Sequence, residues 1–120
     1  MPFQTILTEL VKGVHGATGA ILADWEGEAV AQYCPSGDEY DLKVLGAHKG
    51  IILNRMREVH NTLGAGELLE TVITSAAQHV LVGAVGPEYV LVMSLEREAL
   101  LGLALFHFRS CIGPLVREIY

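Results

Sequence analysis

Histidines stand at positions 15, 48, 60, 79 and 107, cysteines at 34 and 111, and acid pairs at Glu67/Glu70 and Glu96/Glu98. These side chains could ligate a metal, attack an electrophile or move a proton, and their spacing decides which chemistry is open. No two histidines have the HxxxH interval by which one helix face holds zinc. His48 and His60 share a predicted helix but lie twelve residues apart. His107 sits between Phe106 and Phe108 in an apolar helical run, the setting of a hydrogen-bonded structural imidazole. Cys34 precedes Pro35 in a loop, with a helix starting a few residues later. Activating a thiol needs a base or a helix N-terminus beside it, and no histidine is brought near by spacing, so a structural cysteine is expected. The acid pairs match the solvated edge of a sheet and the start of a helix. GxSxG is absent. No catalytic residue, cofactor or metal site is expected.

The stretch "GVHGATGAILADWEGEAVAQY" poses the phosphate question through Gly13, Gly16 and Gly19. A P-loop runs from a strand through glycines to Lys and Ser/Thr at a helix start. Here a helix precedes the glycines and a strand follows them, with neither GK[ST] nor GxGxxG. A helix cap, a turn and a close packing contact are expected instead, with Gly13 ending the helix in a left-handed conformation.

Around these residues the chain divides into regular elements. Phe3, Ile6, Leu7, Leu10 and Val11 have the three-four spacing of a first helix. "ATGAILAD" and "EAVAQY" flank the turn "DWEG" as a hairpin. "CPSGD" leads into a second helix from about Asp38 to about Leu63, ended by "GAG". "ELLETVIT", "HVLVGAV" and "YVLVMSL" form a meander. The last two are apolar apart from His79 and Ser94 at their ends, as strands covered on both faces must be, whereas "ELLETVIT" and "EAVAQY" carry polar side chains and belong at the sheet edges. Leu101, Ala104, Leu105, Phe108, Ile112, Leu115 and Ile119 mark one side of a third helix from Glu98 to Ile119, which Pro114 should kink or restart.

At 120 residues and 51% hydrophobic, one domain spanning 1–120 is expected. A net charge of −6 opposes a duplex nucleic-acid partner, since no Lys/Arg cluster offsets it. The cysteine usage fits free thiols in a cytoplasmic chain, with a single Cys34–Cys111 disulfide as the alternative. "MPFQTILTELVKG" has no signal-peptide layout, and no membrane insertion is expected.

The order α-β-β-α-β-β-β-α, with "GVHGATGAILADWEGEAVA" in the first hairpin and "ALLGLALFHFRSCIGPLVREI" in the last helix, resembles the Roadblock family of dynein light chains and bacterial gliding-motility regulators. Trp25 and Glu26 stand where the family's turn usually has Arg/Asp-type residues. The resemblance implies an α+β, profilin-like fold: a five-stranded antiparallel sheet with helices on both faces. It further implies a dimer, homotypic or heterotypic, built through the second helix and the third strand, and a working relationship with a Ras-like small GTPase.

The second helix carries the site expectations. Leu42, Leu45, Ile52, Leu53, Met56, Val59 and Leu63 form one broad apolar face, assigned to the sheet. Val44, Ala47 and Ile51 form a second strip, flanked by Arg55, and no segment is left to cover it. With Leu68, Glu70, Thr71 and Val72 of the edge strand, this strip is the expected dimer interface. Lys43, Gly50, Asn54, Arg57 and Asn61 make the polar face offered to a partner. The function so implied is a non-catalytic regulator or scaffold of a small GTPase, with activation of hydrolysis as one output. A ligand-sensing module and a dynein-type cargo adaptor without a GTPase are the alternatives.

Overall fold

A computed structural model describes residues 2–35 and 52–120. The elements are α1 (Phe3–Gly13), β1 (Ala17–Asp24), β2 (Ala29–Tyr33), a helix α2 described over 52–63, β3 (Glu70–Thr74), β4 (Gln78–Val85), β5 (Tyr89–Glu96) and α3 (Leu101–Ile119). The sheet order is β2-β1-β5-β4-β3, and every neighbouring pair is antiparallel. This is the expected profilin-like α-β-β-α-β-β-β-α arrangement. The two strands with mixed polarity, β2 and β3, occupy the edges.

The all-apolar strands explain the layering. Residues of β1, β5 and β4 are buried along nearly their whole lengths, so both faces of the sheet centre need cover. Alternate side chains feed two cores. One joins Leu22, Leu81, Leu91 and Met93 to Ile6, Leu7 and Leu10 of α1 and to Ala104, Phe108 and Leu115 of α3. The other gathers Ile21, Val80, Val82, Val90 and Val92 beneath Leu53 of α2.

Several local expectations shift. Gly13 closes α1 without a positive φ, and Gly16 takes the left-handed turn at φ 90°. A Cβ on Gly16 would lie 2.8 Å from the Ala99 Cβ, while its carbonyl accepts the Glu96 N–H at 2.8 Å. The glycine cluster therefore joins α1 to the sheet. α3 begins at Leu101 rather than Glu98, because the Ala99 N–H turns back to the Glu96 carbonyl and Leu100 stays extended. It runs through Pro114 to Ile119 without restarting. β3 begins at Glu70, so Leu68 precedes the strand and packs half-buried against the Ile21 core. Both cysteines are free thiols. Among the described residues no helix is long and apolar enough to cross a membrane.

Phe108 lies directly over Gly83 of β4, where a built Cβ falls 2.7 Å from the ring. Gly83→Ala must displace the ring, at an expected cost of roughly 1–3 kcal/mol. Combining it with Phe108→Leu makes room, so urea unfolding should show the double variant losing less than the sum of the singles.

Candidate functional site

Edge strand β3 presents an unpaired row of backbone groups. Its register with β4 places Glu70 opposite Gly83, Thr71 opposite Val82 and Val72 opposite Leu81. The Ala84 N–H reaches the Leu69 carbonyl at 2.9 Å, and the Ser75 N–H the Gln78 carbonyl at 2.9 Å. In an antiparallel ladder hydrogen-bonded pairs alternate with open ones. Thr71 and Ile73 therefore bond inward to β4, and Glu70, Val72 and Thr74 turn their N–H and C=O groups outward.

The strand's side chains divide between the two faces. Thr71 donates to the Met56 sulfur at 3.8 Å, and Ile73 packs in the core beneath Leu53. Val72 joins the α1/α3 core. Glu70 accepts two hydrogen bonds of 2.7 Å from Nε and Nη2 of Arg109, a fork that ties the edge strand to α3. The hydrogen bond to this carboxylate, and then its charge, push the Arg109 pKa further up. Glu70, expected at the dimer seam, is thus committed within its own chain through its side chain.

α2 is rotated from the expected orientation. Leu53 is fully buried and Met56 half-buried, but Ile52, Val59 and Leu63, assigned to the sheet from periodicity, are 41%, 55% and 72% exposed. Only a narrow arc of one helix touches the sheet, and Leu53 occupies it. At about 100° per residue the other three fall in one stripe roughly 80–120° away. Met56 lies between Leu53 and this stripe and meets Thr71, so the stripe overhangs the β3 edge. Arg55 is exposed beside it. Val44, Ala47 and Ile51, together with Leu42 and Leu45, lie outside the described residues.

The opposite flank of α2 holds Asn54, Arg57 and Asn61; Lys43 and Gly50 lie outside the described residues. The Arg57 guanidinium rests 4.7 Å from the centroid of the Trp25 ring, and Trp25 Nε1 donates to the Pro87 carbonyl at 2.9 Å. Asp24 Oδ1 accepts from the Glu26 and Glu28 N–H groups, fixing the turn that carries Trp25. A cation over an indole is held by the ring's negative face. Trp25 was identified in the sequence only as a departure from the usual turn. Its approach to Arg57 is the kind of distant pairing that spacing does not reveal.

The remaining reactive side chains are occupied structurally. Buried His79 meets Thr74 Oγ1 at 2.8 Å through Nδ1 and the Arg97 carbonyl at 3.1 Å through Nε2. Buried Ser94 shares a 2.7 Å hydrogen bond with Thr18. His107 is half-buried: it meets the Phe106 ring edge-to-face at 5.5 Å and lines a groove of about 440 Å³ between α1 and α3. Cys111 lies in the same groove, where burial and then the Glu9 carboxylate push its thiol pKa up, opposite to nucleophilic activation. A second, largely apolar cleft of about 540 Å³ lies between β3 and α3, lined by Leu69, Gly83, Phe108 and Ile112. Among the described residues no group of three His, Cys, Asp or Glu side chains is placed to hold a metal.

Comparison with known proteins agrees with this geometry. The model of the Roadblock/LC7 domain matches residues 3–94. A Roadblock/LC7 domain from Streptomyces avermitilis superposes with a TM-score of 0.88 at 16% identity, over 99% of this chain and 98% of that one. Myxococcus xanthus MglB superposes with a TM-score of 0.85 at 18% identity, over 97% and 86%. Profilin IA of Acanthamoeba castellanii follows the same path at 0.64 and 13%, over 99% and 100%. No curated protein matches the chain by sequence.

Two outcomes follow from the site's geometry. Thr71→Pro removes an inward ladder bond and should cost about 2 kcal/mol or more in urea unfolding, whereas Val72→Pro, whose N–H points outward, should keep the native circular dichroism. In a Cys34→Ser background, Cys111 should alkylate severalfold more slowly in folded protein than in urea at matched pH. Its rate should still climb at the pH where the unfolded chain has levelled, because a raised pKa leaves less thiolate at any lower pH.

Proposed function

The chain belongs to the Roadblock/LC7 family, and from that premise we propose that it is a non-catalytic regulator or scaffold of a Ras-like small GTPase, acting as a dimer. The observation that carries the dimer is the open edge of β3 beneath an exposed apolar stripe. Outward groups at Glu70, Val72 and Thr74 need a partner strand, and Ile52, Val59 and Leu63 need cover. A second copy supplies both at once. Antiparallel pairing of β3 with its twofold mate extends the sheet and brings the two α2 stripes together.

In such a dimer both α2 helices lie on one face of the joined sheet. That face repeats Asn54, Arg57 and Asn61 about the twofold, with each Arg57 held over its Trp25. A preorganised guanidinium loses little freedom on binding, which suits a surface recognising another protein. The chain's part in hydrolysis is to hold the GTPase in a productive shape. Arg57 already has its ring partner, and no arginine-finger role is assigned to it. The ligand-sensing alternative is less well supported, because His79 and Ser94, the buried polar side chains among the described residues, are hydrogen-bonded within the chain.

The test has two arms. Sedimentation should show dimeric wild type and folded monomers for Val72→Pro and for Val59→Glu, which places a charge in the stripe. Capture of Ras-like GTPases loaded with GDP or a non-hydrolysable GTP analogue, followed by single-turnover hydrolysis, should show nucleotide-dependent binding. Arg57→Ala should weaken that binding about tenfold, near 1.4 kcal/mol. Absence of binding to every GTPase in either nucleotide state overturns the proposed partner, and an unchanged mass for both variants overturns the seam.

A further inference from the structure

The cation over Trp25 depends on a turn that side chains reach from both faces of the sheet. Tyr89 pairs with Asp24 on one side and with Val85 on the other, at one end of the sheet. Residues 86–88 join β4 to β5 just beyond these pairs, where the strands no longer separate the two faces. From the α2 face, Trp25 packs against the Ile21 core and donates Nε1 to the Pro87 carbonyl at 2.9 Å. From the other face comes Tyr120, at the end of α3. Half-buried Val116 and Ile119 bring this end of the helix onto the core that holds Val85, and the Tyr120 N–H is bonded to the Val116 carbonyl at 2.9 Å. Tyr120 is 61% exposed, yet one side of its ring is committed.

Gly86 provides the seat. Its φ is 64°, a left-handed conformation that glycine adopts without steric cost. A Cβ built on it would fall 2.6 Å from Cε2 of Tyr120, 3.1 Å from Oη and 3.2 Å from Cζ, so the phenol ring fills the space that the missing side chain leaves. The hydroxyl stands beside Glu88. Partial desolvation, then the Glu88 carboxylate, push its pKa up, and the ring resting on the turn is the neutral phenol. The turn has little slack. Between the Gly86 Cα and the Pro87 carbonyl the peptide bond is planar and the proline ring fixes φ. The ψ torsions of Gly86 and Pro87 are left, and the phenol on one side and the indole N–H on the other restrain them.

We infer that Tyr120 is a positioning residue for Arg57, acting through Gly86, the Pro87 carbonyl and Trp25. The contacts run from α3 on one face, around the end of the sheet, to α2 on the other. The seated phenol holds the carbonyl where the indole N–H can reach it. The bonded indole then offers a fixed face 4.7 Å from the Arg57 guanidinium. Unseating the phenol frees the turn, and indole and guanidinium lose their common orientation. The consequence for binding rests on the proposed function, in which the Arg57 flank meets the GTPase. The consequence for Trp25 and Arg57 does not, and is measured on the chain alone. A side chain that only completed α3 would have no influence across the sheet.

Trp25 is the chain's one tryptophan, so selectively excited emission reports on this ring. Tyr120→Ala should shift the emission to the red and raise its quenching by acrylamide, with circular dichroism unchanged. The Arg57 side-chain proton resonances, moved upfield by the indole ring current, should return toward free-arginine positions. Tyr120→Phe keeps a ring on Gly86 and should preserve both signals. Ile119→Ala trims the same end of α3 where it packs on the core, and should lower the urea midpoint while leaving both signals at wild type. Wild-type signals in Tyr120→Ala, their loss in Tyr120→Phe, or an equal change in Ile119→Ala overturns the inference. In GTPase capture, Tyr120→Ala should weaken binding less than Arg57→Ala does and add nothing to it in the double variant. If no GTPase binds, the partner reading fails while the emission and resonance results still decide the role of Tyr120.

Discussion

Three adjacent strands, β1, β5 and β4, are apolar on both sides, and the rest of the molecule depends on covering them twice. One face takes two helices packed side by side, α1 and α3. The chain must then pass from the β2 edge to the β3 edge, and α2 in that connection covers the other face. Along its described length a single buried residue, Leu53, anchors α2 to the core. A helix held by so narrow an arc keeps much of its surface free, and the stripe over β3 and the flank with Arg57 follow from that.

Long-range side-chain pairs then distinguish the two edges of α2. On one side Trp25 grips Arg57 and is itself held by the Pro87 carbonyl, so a turn between β1 and β2 and another between β4 and β5 position one guanidinium. On the other, Thr71 meets Met56, and the Arg109 fork holds Glu70 on the opposite face of the same strand. β3 is thereby secured from both sides while its backbone edge stays open. An edge so restrained can take a partner strand without first being ordered, which lowers the entropic cost of pairing.

The chemistry-bearing residues were legible mainly as structural ones. His79 and Ser94, interruptions in apolar strands, proved to be strand-end hydrogen-bonding residues, and the glycine cluster proved to be a turn with a close contact to Ala99. The phenylalanines flanking His107 point to opposite sides of α3, Phe108 inward and Phe106 outward, and the half-buried imidazole stands between them, a position that the apolar run by itself does not specify.

Alternation and turn chemistry are local properties, and they were enough to determine the element order, the central and edge strands, and the inward face of α3. The rotation of α2 was not local. Periodicity drew a broad apolar face from Ile52 to Leu63, but a helix resting on a twisted sheet buries only the arc that the strands beneath can reach, and that arc is decided by where Leu53 meets Ile21, Val80 and Val92. The Trp25–Arg57 and Glu70–Arg109 pairs likewise join residues from separate elements, and only the folded sheet brings them together. The sequence by itself determined which surfaces had to be buried. Tertiary packing decided which apolar residues were left over, because burial depends on the shape and width of the surface opposite as well as on hydrophobic pattern.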